Sequence, residues 1–169
     1  MKSNIAHIAI AILLSLVTAK NAQAAQLTSS DLESPFYLIR AQKIDRVESL
    51  REFFKSFESP LEDHAKIFVQ VADKYGLDYR LLPSIACLES SCGKFYIPES
   101  NNPFGWGIYG NKVTKFATME EGIEVVGKGL SDNYIEKGYD TVEEIAPIYN
   151  PPNPIKWAGK VNYFYNKIN

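Results

Sequence analysis

The segment IACLESSCG, residues 85–93, decides how the rest of the chain is interpreted. It follows an apolar run that starts near Tyr79, and Gly93 is a typical residue at a helix end. We therefore predict a helix from Tyr79 to about Ser91. Glu89 is a carboxylate on this largely apolar helix, and burial there would raise its pKa by favouring the neutral form. The same pattern fits a glutamate that points into solvent, so the segment alone leaves both interpretations open.

The two cysteines of the chain, Cys87 and Cys92, lie in the same segment. On a straight α-helix, residues five apart are separated by about 8.5 Å at Cα, which is too far for a disulfide. In an oxidising compartment, however, two thiols usually pair. We therefore predict a disulfide, which requires the helix to end between the two cysteines and would fix that end.

The first 24 residues differ in composition from the rest of the chain. Lys2 precedes an apolar run over residues 5–19, and Ala22-Gln23-Ala24 follows it. This arrangement is typical of a cleaved secretory signal, whereas a membrane anchor needs about 20 apolar residues. We expect a secreted or cell-envelope protein with no stable membrane insertion after cleavage. The predicted signal peptide, linker and domain cover residues 1–24, 25–43 and 44–169.

Composition and charge exclude several classes of protein. The chain has 169 residues, of which 46% are hydrophobic and 22% are charged. These values are typical of one globular domain. The formal net charge of −2 lacks the strong positive balance of nucleic-acid-binding proteins, so we expect no nucleic-acid partner.

Apolar residues at spacings of three and four predict a mainly α fold. Ser59 is a predicted helix cap, and Thr118 and Thr141 begin two predicted capping boxes. Alternating residues around Gly110-Asn111 predict a small β-hairpin over residues 106–116, and a hairpin lobe beside a helical body forms a groove. The predicted helices cover about residues 44–57, 60–75, 79–91, 118–135, 141–149 and 155–168.

Histidine-based chemistry has little support in this sequence. Once the signal peptide is removed, His64 is the only histidine, and it lies among acidic residues at the start of a helix. A histidine-rich zinc site lacks its ligands, and no nucleophile motif of the G-x-S-x-G kind is present. We expect His64 on the helix surface, and we expect no metal and no cofactor.

Several motifs resemble the lysozyme-like superfamily, which includes bacterial endo-β-N-acetylglucosaminidase-like domains and lytic transglycosylases. Residues 85–93 resemble its Glu-Ser motif, and Asn101-Asn102-Pro103-Phe104-Gly105 resembles the following Asn-Asn-x-Phe-Gly motif. Residues 116–123 are similar to the next helix of the family, and Tyr149-Asn150 to its later tyrosine motif. The resemblance covers about residues 60–168. The sequence after Pro103 departs from the motifs of both subfamilies and leaves the choice between them open.

The resemblance implies a lysozyme-like helical domain, with a small β-hairpin lobe beside its groove, that cleaves β-1,4 bonds of the peptidoglycan glycan. Glu89 would be the general acid, and Tyr149 would stabilise developing positive charge or orient the sugar. Ser90 would hold the catalytic helix or a substrate hydroxyl. The predicted substrate-binding residues are Ser90, Phe104, Gly105, Trp106, Asn150 and Glu99, in a protein that we expect to be monomeric.

Two questions stay open at this level. Hydrolases of sugars generally use two carboxylates, and the candidates for the second are Glu99, Glu120 and Glu121. If none of them serves, the substrate's acetamido group can assist, or its 6-hydroxyl can attack as in lytic transglycosylases. A non-catalytic wall-binding module is a further alternative.

The aromatic residues also allow more than one role. Trp106 and Tyr149 are the preferred sugar-stacking pair, and Trp157 and Tyr163 are expected in the core. The other aromatic residues that could stack on sugars are Phe104 and Tyr109.

Overall fold

The computed structural model describes residues 35–108 and 110–169. The predicted signal peptide, residues 25–34 of the predicted linker, and Tyr109 lie outside this part of the chain. The chain divides into two compact units, Met1–Arg40 and Ala41–Asn169. In the first unit only residues 35–40, which begin a helix, are described; the second unit is the helical domain.

The described residues form six α-helices and two short 3-10 helices, so the predicted mainly α class is confirmed. The 3-10 helices are Glu62–His64 and Ile135–Lys137. No helix in this part of the chain has the length and hydropathy needed to cross a membrane. The α-helices are α1 (Pro35–Ser56), α2 (Ala65–Tyr75), α3 (Leu81–Ser90), α4 (Met119–Asn133), α5 (Val142–Tyr149) and α6 (Pro154–Tyr165).

Helix α1 begins nine residues before the predicted start at Ile44, so residues 35–43 of the predicted linker are helical. The side chains of Leu38, Ile39 and Gln42 are exposed. This part of the helix therefore has no row of apolar residues at spacings of three and four. The periodic apolar residues begin only where the helix packs on the core, through Leu50 and Phe54. The pattern therefore marked the packed half of the helix instead of its first residue.

Helix α3 lies at the centre of the domain and packs against α6 and α2. Its residues 81–87 are all buried, and a helix that is apolar all round belongs in a protein interior. Helix α4 packs on α2, and α5 packs on α6. The larger fully buried side chains of this core include Leu50, Phe54, Phe68, Leu82, Ile85, Ile123, Leu130 and Ile145.

The predicted β-hairpin is not confirmed. The described residues between α3 and α4 contain no strand, and Lys112 alone forms an isolated β-bridge. Asn102 organises this loop instead: its Nδ2 donates to the carbonyls of Trp106 at 2.9 Å and Thr114 at 3.1 Å, and its Oδ1 accepts from the amide of Trp106 at 3.0 Å. One buried amide side chain therefore bonds backbone groups that a strand ladder would otherwise pair.

The predicted helix caps at Thr118 and Thr141 are present, but the predicted cap at Ser59 is not. Thr141 and Glu144 form a complete capping box, and Thr118 Oγ1 accepts from the amide of Glu121. Ser59 Oγ accepts from the amide of Leu61 at 3.0 Å and donates to the carbonyl of Cys92 at 2.6 Å. Helix α2 begins only at Ala65, after the 3-10 helix Glu62–His64, so the helix predicted from residue 60 starts five residues later than expected. Ser59 instead ties the turn before these helices to the chain that follows α3.

The start of α3 is held by a charged cluster of Asp78, Arg80 and Tyr165. Asp78 Oδ1 accepts from the amide of Arg80 at 2.9 Å, and Asp78 Oδ2 pairs with its guanidinium at 2.7 Å. The guanidinium stacks over Tyr165, 4.1 Å from the ring centroid. Burial alone would raise the pKa of Asp78, but the hydrogen bonds from Arg80 and Tyr165 outweigh it, so this pKa is lowered.

We predict that Asp78→Asn lowers the free energy of unfolding at pH 7 by about 1 kcal/mol, since it removes a partly exposed ion pair and its cap. A carboxyl with a lowered folded pKa stabilises the fold above its unfolded pKa of 3.8 and loses this contribution as pH falls through the folded value. Urea unfolding at pH 7 and at about pH 3 measures the difference, which should shrink at the lower pH.

The matched control is Asp132→Asn, which removes the exposed pair with Lys128 on the surface of α4. Its expected cost is below about 0.5 kcal/mol. An Asp78→Asn effect of the same size at both pH values would contradict an electrostatic contribution from Asp78.

Candidate functional site

The chain reverses direction directly after α3. Ser91, Cys92 and Gly93 all have left-handed backbone conformations, with φ of 51°, 58° and 74°. This turn brings the Cα atoms of Cys87 and Cys92 to 3.5 Å, and the two residues form a disulfide. The predicted disulfide and the predicted helix end between its cysteines are therefore confirmed. Because non-glycine residues rarely adopt this conformation, the disulfide supports a turn that the backbone alone disfavours.

Ser90 joins the helix end to this turn. Its Oγ donates to the carbonyl of Ala86 at 2.8 Å and accepts from the amide of Gly93 at 2.9 Å, and the residue is buried. The hydroxyl is thus engaged by backbone groups on both sides. Of the two roles considered for Ser90, this geometry favours holding the helix over binding a substrate hydroxyl.

Glu89 lies one residue before the end of α3 and contacts α6. Its Oε1 accepts a hydrogen bond from the indole Nε1 of Trp157 at 3.3 Å. Trp157 is only 4% exposed, so its expected place in the core is confirmed. The indole N–H of a buried tryptophan usually finds an acceptor, and here that acceptor is the candidate catalytic carboxylate.

The pKa of Glu89 is raised, because burial of the carboxyl outweighs the hydrogen bond from Trp157 and the positive charge of Lys160, which both lower it. By surface area, however, Glu89 is an exposed residue. The two observations agree if water reaches the carboxyl from one side while protein atoms surround it on the others. Glu89 therefore stays protonated to higher pH than an ordinary glutamate, as a proton donor requires.

Two depressions in the surface adjoin at Glu89, which lines both of them. The first has a volume of about 310 Å³ and the second about 570 Å³. Besides Glu89, the first is lined by Leu88, Asn150, Asn153, Lys156, Trp157 and Lys160. The second is lined by Ser90, Lys94, Phe95, Tyr96, Ile97, Pro98, Asn102, Pro103, Gly105 and Ile108.

The two depressions differ in chemistry. The first offers mainly amide and amine side chains, whereas the second has an apolar wall that includes Phe95, 76% exposed, and Tyr96. Among the lining residues that the structure describes, Glu89 is the only carboxylate. The arrangement is a single acid between a polar half and an apolar half of one groove.

Tyr149 and Asn150 are neighbours in sequence, but only Asn150 lines the groove. Asn150 lines the first depression, as expected for a substrate-binding residue. Tyr149 lines neither depression; its ring stacks on Trp157 with centroids 4.6 Å apart and planes 28° apart. Tyr149 therefore supports the indole that contacts Glu89 and stands one residue away from the groove.

The Asn-Asn-Pro-Phe-Gly segment contributes backbone to the groove, but its aromatic side chains point elsewhere. Phe104 is 1% exposed and packs against Phe68, so the expectation that it stacks on a sugar is wrong. Gly105 lines the second depression. Trp106 lines neither depression, and its ring lies so close to Gly129 of α4 that a Cβ there would stand 2.5 Å from it.

None of the three candidates for a second carboxylate lines the groove. Glu99 is an exposed loop residue with φ of 63°. Glu120 pairs with Nδ1 of His64 at 3.0 Å. His64 is partly buried at the surface. Glu121 accepts from the amide of Ala117 as part of the start of α4. No group of histidine, cysteine and acidic residues in the described part of the chain could hold a metal ion.

Sequence reasoning missed the residues that form much of the groove wall. Phe95 and Tyr96 follow the disulfide turn directly, and a pair of aromatic residues in a polar loop was the available signal. Lys156 and Lys160 are four residues apart on α6, which indicated a shared face but not which face. Nothing in the sequence indicated that Trp157 contacts Glu89.

A third depression of about 640 Å³ lies beside the disulfide and does not include Glu89. Its wall is largely apolar and contains Phe57, Phe164 and Tyr163. Tyr163 is 57% exposed, so its predicted place in the core is wrong: it lies on the solvent-facing side of α6.

Comparisons with known proteins do not assign this chain to a family. No model of a known protein family matches it, and no curated protein matches it significantly in sequence.

We predict that Trp157→Phe raises the pKa of Glu89 further, because the indole hydrogen bond that stabilises the ionised carboxylate is lost. Carbon-13 NMR titration of the glutamate side-chain carboxyl carbons measures this pKa without any assumption about activity. The control is Trp106→Phe, which removes the other indole, since Trp106 lines neither depression beside Glu89. An unchanged or lowered pKa in Trp157→Phe would contradict the assigned hydrogen bond.

We also predict that Phe104→Ala lowers the free energy of unfolding by about 3–5 kcal/mol, as for other buried phenylalanines. Phe95→Ala is the matched control, because Phe95 is mostly exposed and its loss should cost less than about 1 kcal/mol. Urea denaturation of both variants distinguishes a core anchor from a groove residue. Equal small losses would place Phe104 outside the core.

Proposed function

We propose that this protein cleaves the β-1,4-linked glycan backbone of peptidoglycan, with Glu89 as the general acid. The observation that carries the proposal is the position of Glu89, whose carboxyl has a raised pKa where the two depressions adjoin. A glycosidic bond lying across this point would have a proton donor beside its leaving oxygen. The endo-β-N-acetylglucosaminidase type of the lysozyme-like superfamily is the class of enzyme proposed.

The resemblance of the Glu-Ser and Asn-Asn-x-Phe-Gly segments supports this proposal. In the structure, the first places Glu89 at the end of a buried helix and the second borders the adjoining depression through Gly105. We extend the proposal to a lysozyme-like fold in which the loop between α3 and α4, instead of a β-hairpin lobe, flanks the groove.

The proposed reaction uses Glu89 twice. The protonated carboxyl donates its proton to the glycosidic oxygen as the bond from that oxygen to the anomeric carbon breaks. The acetamido oxygen of the same sugar bonds to the anomeric carbon and stabilises its positive charge. A water molecule then attacks this carbon and the acetamido group leaves, while the Glu89 carboxylate takes the proton of the water. The carboxyl is thereby restored, and the product has a reducing end.

A second route also needs no other carboxylate than Glu89 among the described groove residues. Here the 6-hydroxyl of the sugar bonds to the anomeric carbon, and its proton passes to the Glu89 carboxylate that has just protonated the leaving oxygen. This lytic transglycosylase reaction consumes no water and gives an anhydro-sugar end. Both routes need one acid, so the structure supports them more directly than a mechanism with two carboxylates.

The supporting residues have assigned roles in this proposal. Trp157 orients the Glu89 carboxyl, and Tyr149 stacks on Trp157, so Tyr149 is a positioning residue in place of the catalytic residue first expected. Phe95 and Tyr96 offer the aromatic surface on which sugar faces pack. The disulfide supports export to an oxidising compartment, in agreement with the predicted signal peptide.

We predict that Glu89→Gln lowers the rate of peptidoglycan cleavage by about 10²–10⁴-fold, the usual contribution of a general acid. The purified protein is incubated with isolated cell wall, and mass spectrometry identifies the released ends. Reducing ends indicate hydrolysis, and anhydro ends indicate transglycosylation. Glutamine still accepts the hydrogen bond from Trp157, so the variant should melt no lower than the wild type.

Glu99→Gln is the matched control and should keep the wild-type rate, because Glu99 does not line the groove. Equal activity of Glu89→Gln and wild type would remove Glu89 from catalysis. If the wild type releases no ends and only binds cell wall, the protein is a wall-binding module and the proposed activity is wrong.

A further inference from the structure

The third depression, beside the disulfide, borders both halves of the groove. It shares Leu88 and Lys160 with the first depression and Lys94 with the second. A strand that runs from the first depression to the second past Glu89 therefore has the third depression at its side instead of at either end. A group that enters the third depression from such a strand is a substituent of the strand and not its next sugar.

The wall of the third depression is apolar and held in place by packing and by a covalent bond. Phe57 of α1 and Phe164 of α6 pack edge to face, with ring centroids 5.6 Å apart, and both line the depression. The Cys87–Cys92 disulfide forms another part of the wall. The volume of about 640 Å³ is within the range of ordinary ligand sites, and a wall that is already ordered loses little conformational freedom on binding.

Gly159 leaves a space in this wall that another residue would fill. It lies in the interior of α6, where glycine is less favourable than alanine. A Cβ placed on it would have no atom of the described chain within 4 Å, apart from its chain neighbours and its own helix backbone. The packing of the domain thus gives no reason for a glycine here, whereas the close approach of a ligand main chain to the helix gives one.

Tyr163 lies one turn after Gly159 on α6, and both residues line the third depression. Residues four apart are neighbours on a helix surface. Lys167, one turn after Tyr163, lies over the tyrosine ring, 4.8 Å from its centroid, whereas Gly159, one turn before it, contributes no side chain. The ring is 57% exposed and is open toward the glycine, where a ligand can pack on it.

We propose that the third depression binds the peptide that branches from the glycan strand, so that the substrate is peptide-bearing glycan. This inference rests on the proposed function, because it takes the strand in the groove to be peptidoglycan, in which the sugar with the lactyl ether carries a short peptide that contains alanine. The peptide main chain passes over Gly159, and its methyl groups pack on Tyr163 and on the phenylalanine rings of the wall.

The test is calorimetric titration of the Glu89→Gln protein, which is not expected to turn over its ligand. The first probe is a tetrasaccharide of alternating N-acetylglucosamine and N-acetylmuramic acid, with L-alanyl-D-isoglutaminyl-L-lysyl-D-alanine on each lactyl group. The second probe has an N-methylamide in place of each peptide. Both probes have no net charge, so their comparison does not depend on the lysines at the border of the depression.

We expect the peptide-bearing probe to bind about three- to tenfold more tightly, the effect of burying one or two methyl groups at an open apolar site. Adding Gly159→Leu fills the space over the helix and should remove this difference, and Gly159→Ala should reduce it. Neither variant should lower the melting temperature, because both residues favour a helix interior more than glycine does. A loss of affinity without a loss of stability is not explained by damage to the fold.

Tyr163→Ala removes the exposed ring and should also weaken binding of the peptide-bearing probe alone. Tyr139→Ala is the matched control, because Tyr139 is 38% exposed and lines none of the three depressions. It should change the Kd of neither probe.

Each result bears on one proposal. Equal affinity for the two probes, binding of neither probe, or an equal effect of Gly159→Leu on both probes would overturn the peptide site. The proposed activity is tested separately, by the release of glycan ends from cell wall by the wild type. A protein that discriminates between the probes but releases no ends keeps the peptide site and loses the catalytic proposal, and the opposite pair of results keeps the activity alone.

Discussion

The hydrogen bond from Trp157 to Glu89 is the interaction on which the candidate site depends. It joins α6 to the last turn of α3, at the point where the buried helix reaches the surface. Tyr149 stacks on the far side of the indole and thereby links α5 to the same contact. Three helices thus determine where one carboxyl lies. The acid is held by packed side chains instead of a mobile loop, which is the arrangement that precise proton transfer needs.

The pKa of that carboxyl results from opposing effects. Surrounding protein atoms disfavour the charge, whereas Trp157 and Lys160 stabilise it, and the first effect is larger. A carboxyl with no such partners would have a still higher pKa and would be a weaker proton donor. The contacts of Trp157 and Lys160 therefore limit how far burial raises this pKa.

The local parts of the fold were predictable because they depend on neighbouring residues. The Thr141–Glu144 box, the cap at Thr118 and the helix end between Cys87 and Cys92 all follow from short-range chemistry that the sequence displays. The destinations of the aromatic side chains were not predictable. Phe104 and Trp106 are two residues apart in one loop, yet the first is buried in the core and the ring of the second lies on α4. Tyr163 has a helical spacing from Trp157 that suggested the core, yet it is exposed.

The loop between α3 and α4 shows a related limit. Its alternating residues and its Gly-Asn pair fit a hairpin, yet the amide of Asn102 bonds the backbone groups concerned. In the sequence, Asn102 stands out only as part of the Asn-Asn-x-Phe-Gly motif. Its physical role, as the buried centre of the loop, becomes visible only when its three partners are known.

The left-handed turn after α3 has a consequence for how firmly Glu89 is held. Ser91 and Cys92 adopt a backbone conformation that side chains disfavour, and a covalent bond closes the turn that they form. Inside a reducing compartment that bond does not persist, and the helix end would be free to relax and carry Glu89 with it. Because the disulfide spans Glu89, the redox state of the two sulfurs is coupled to the position of this side chain.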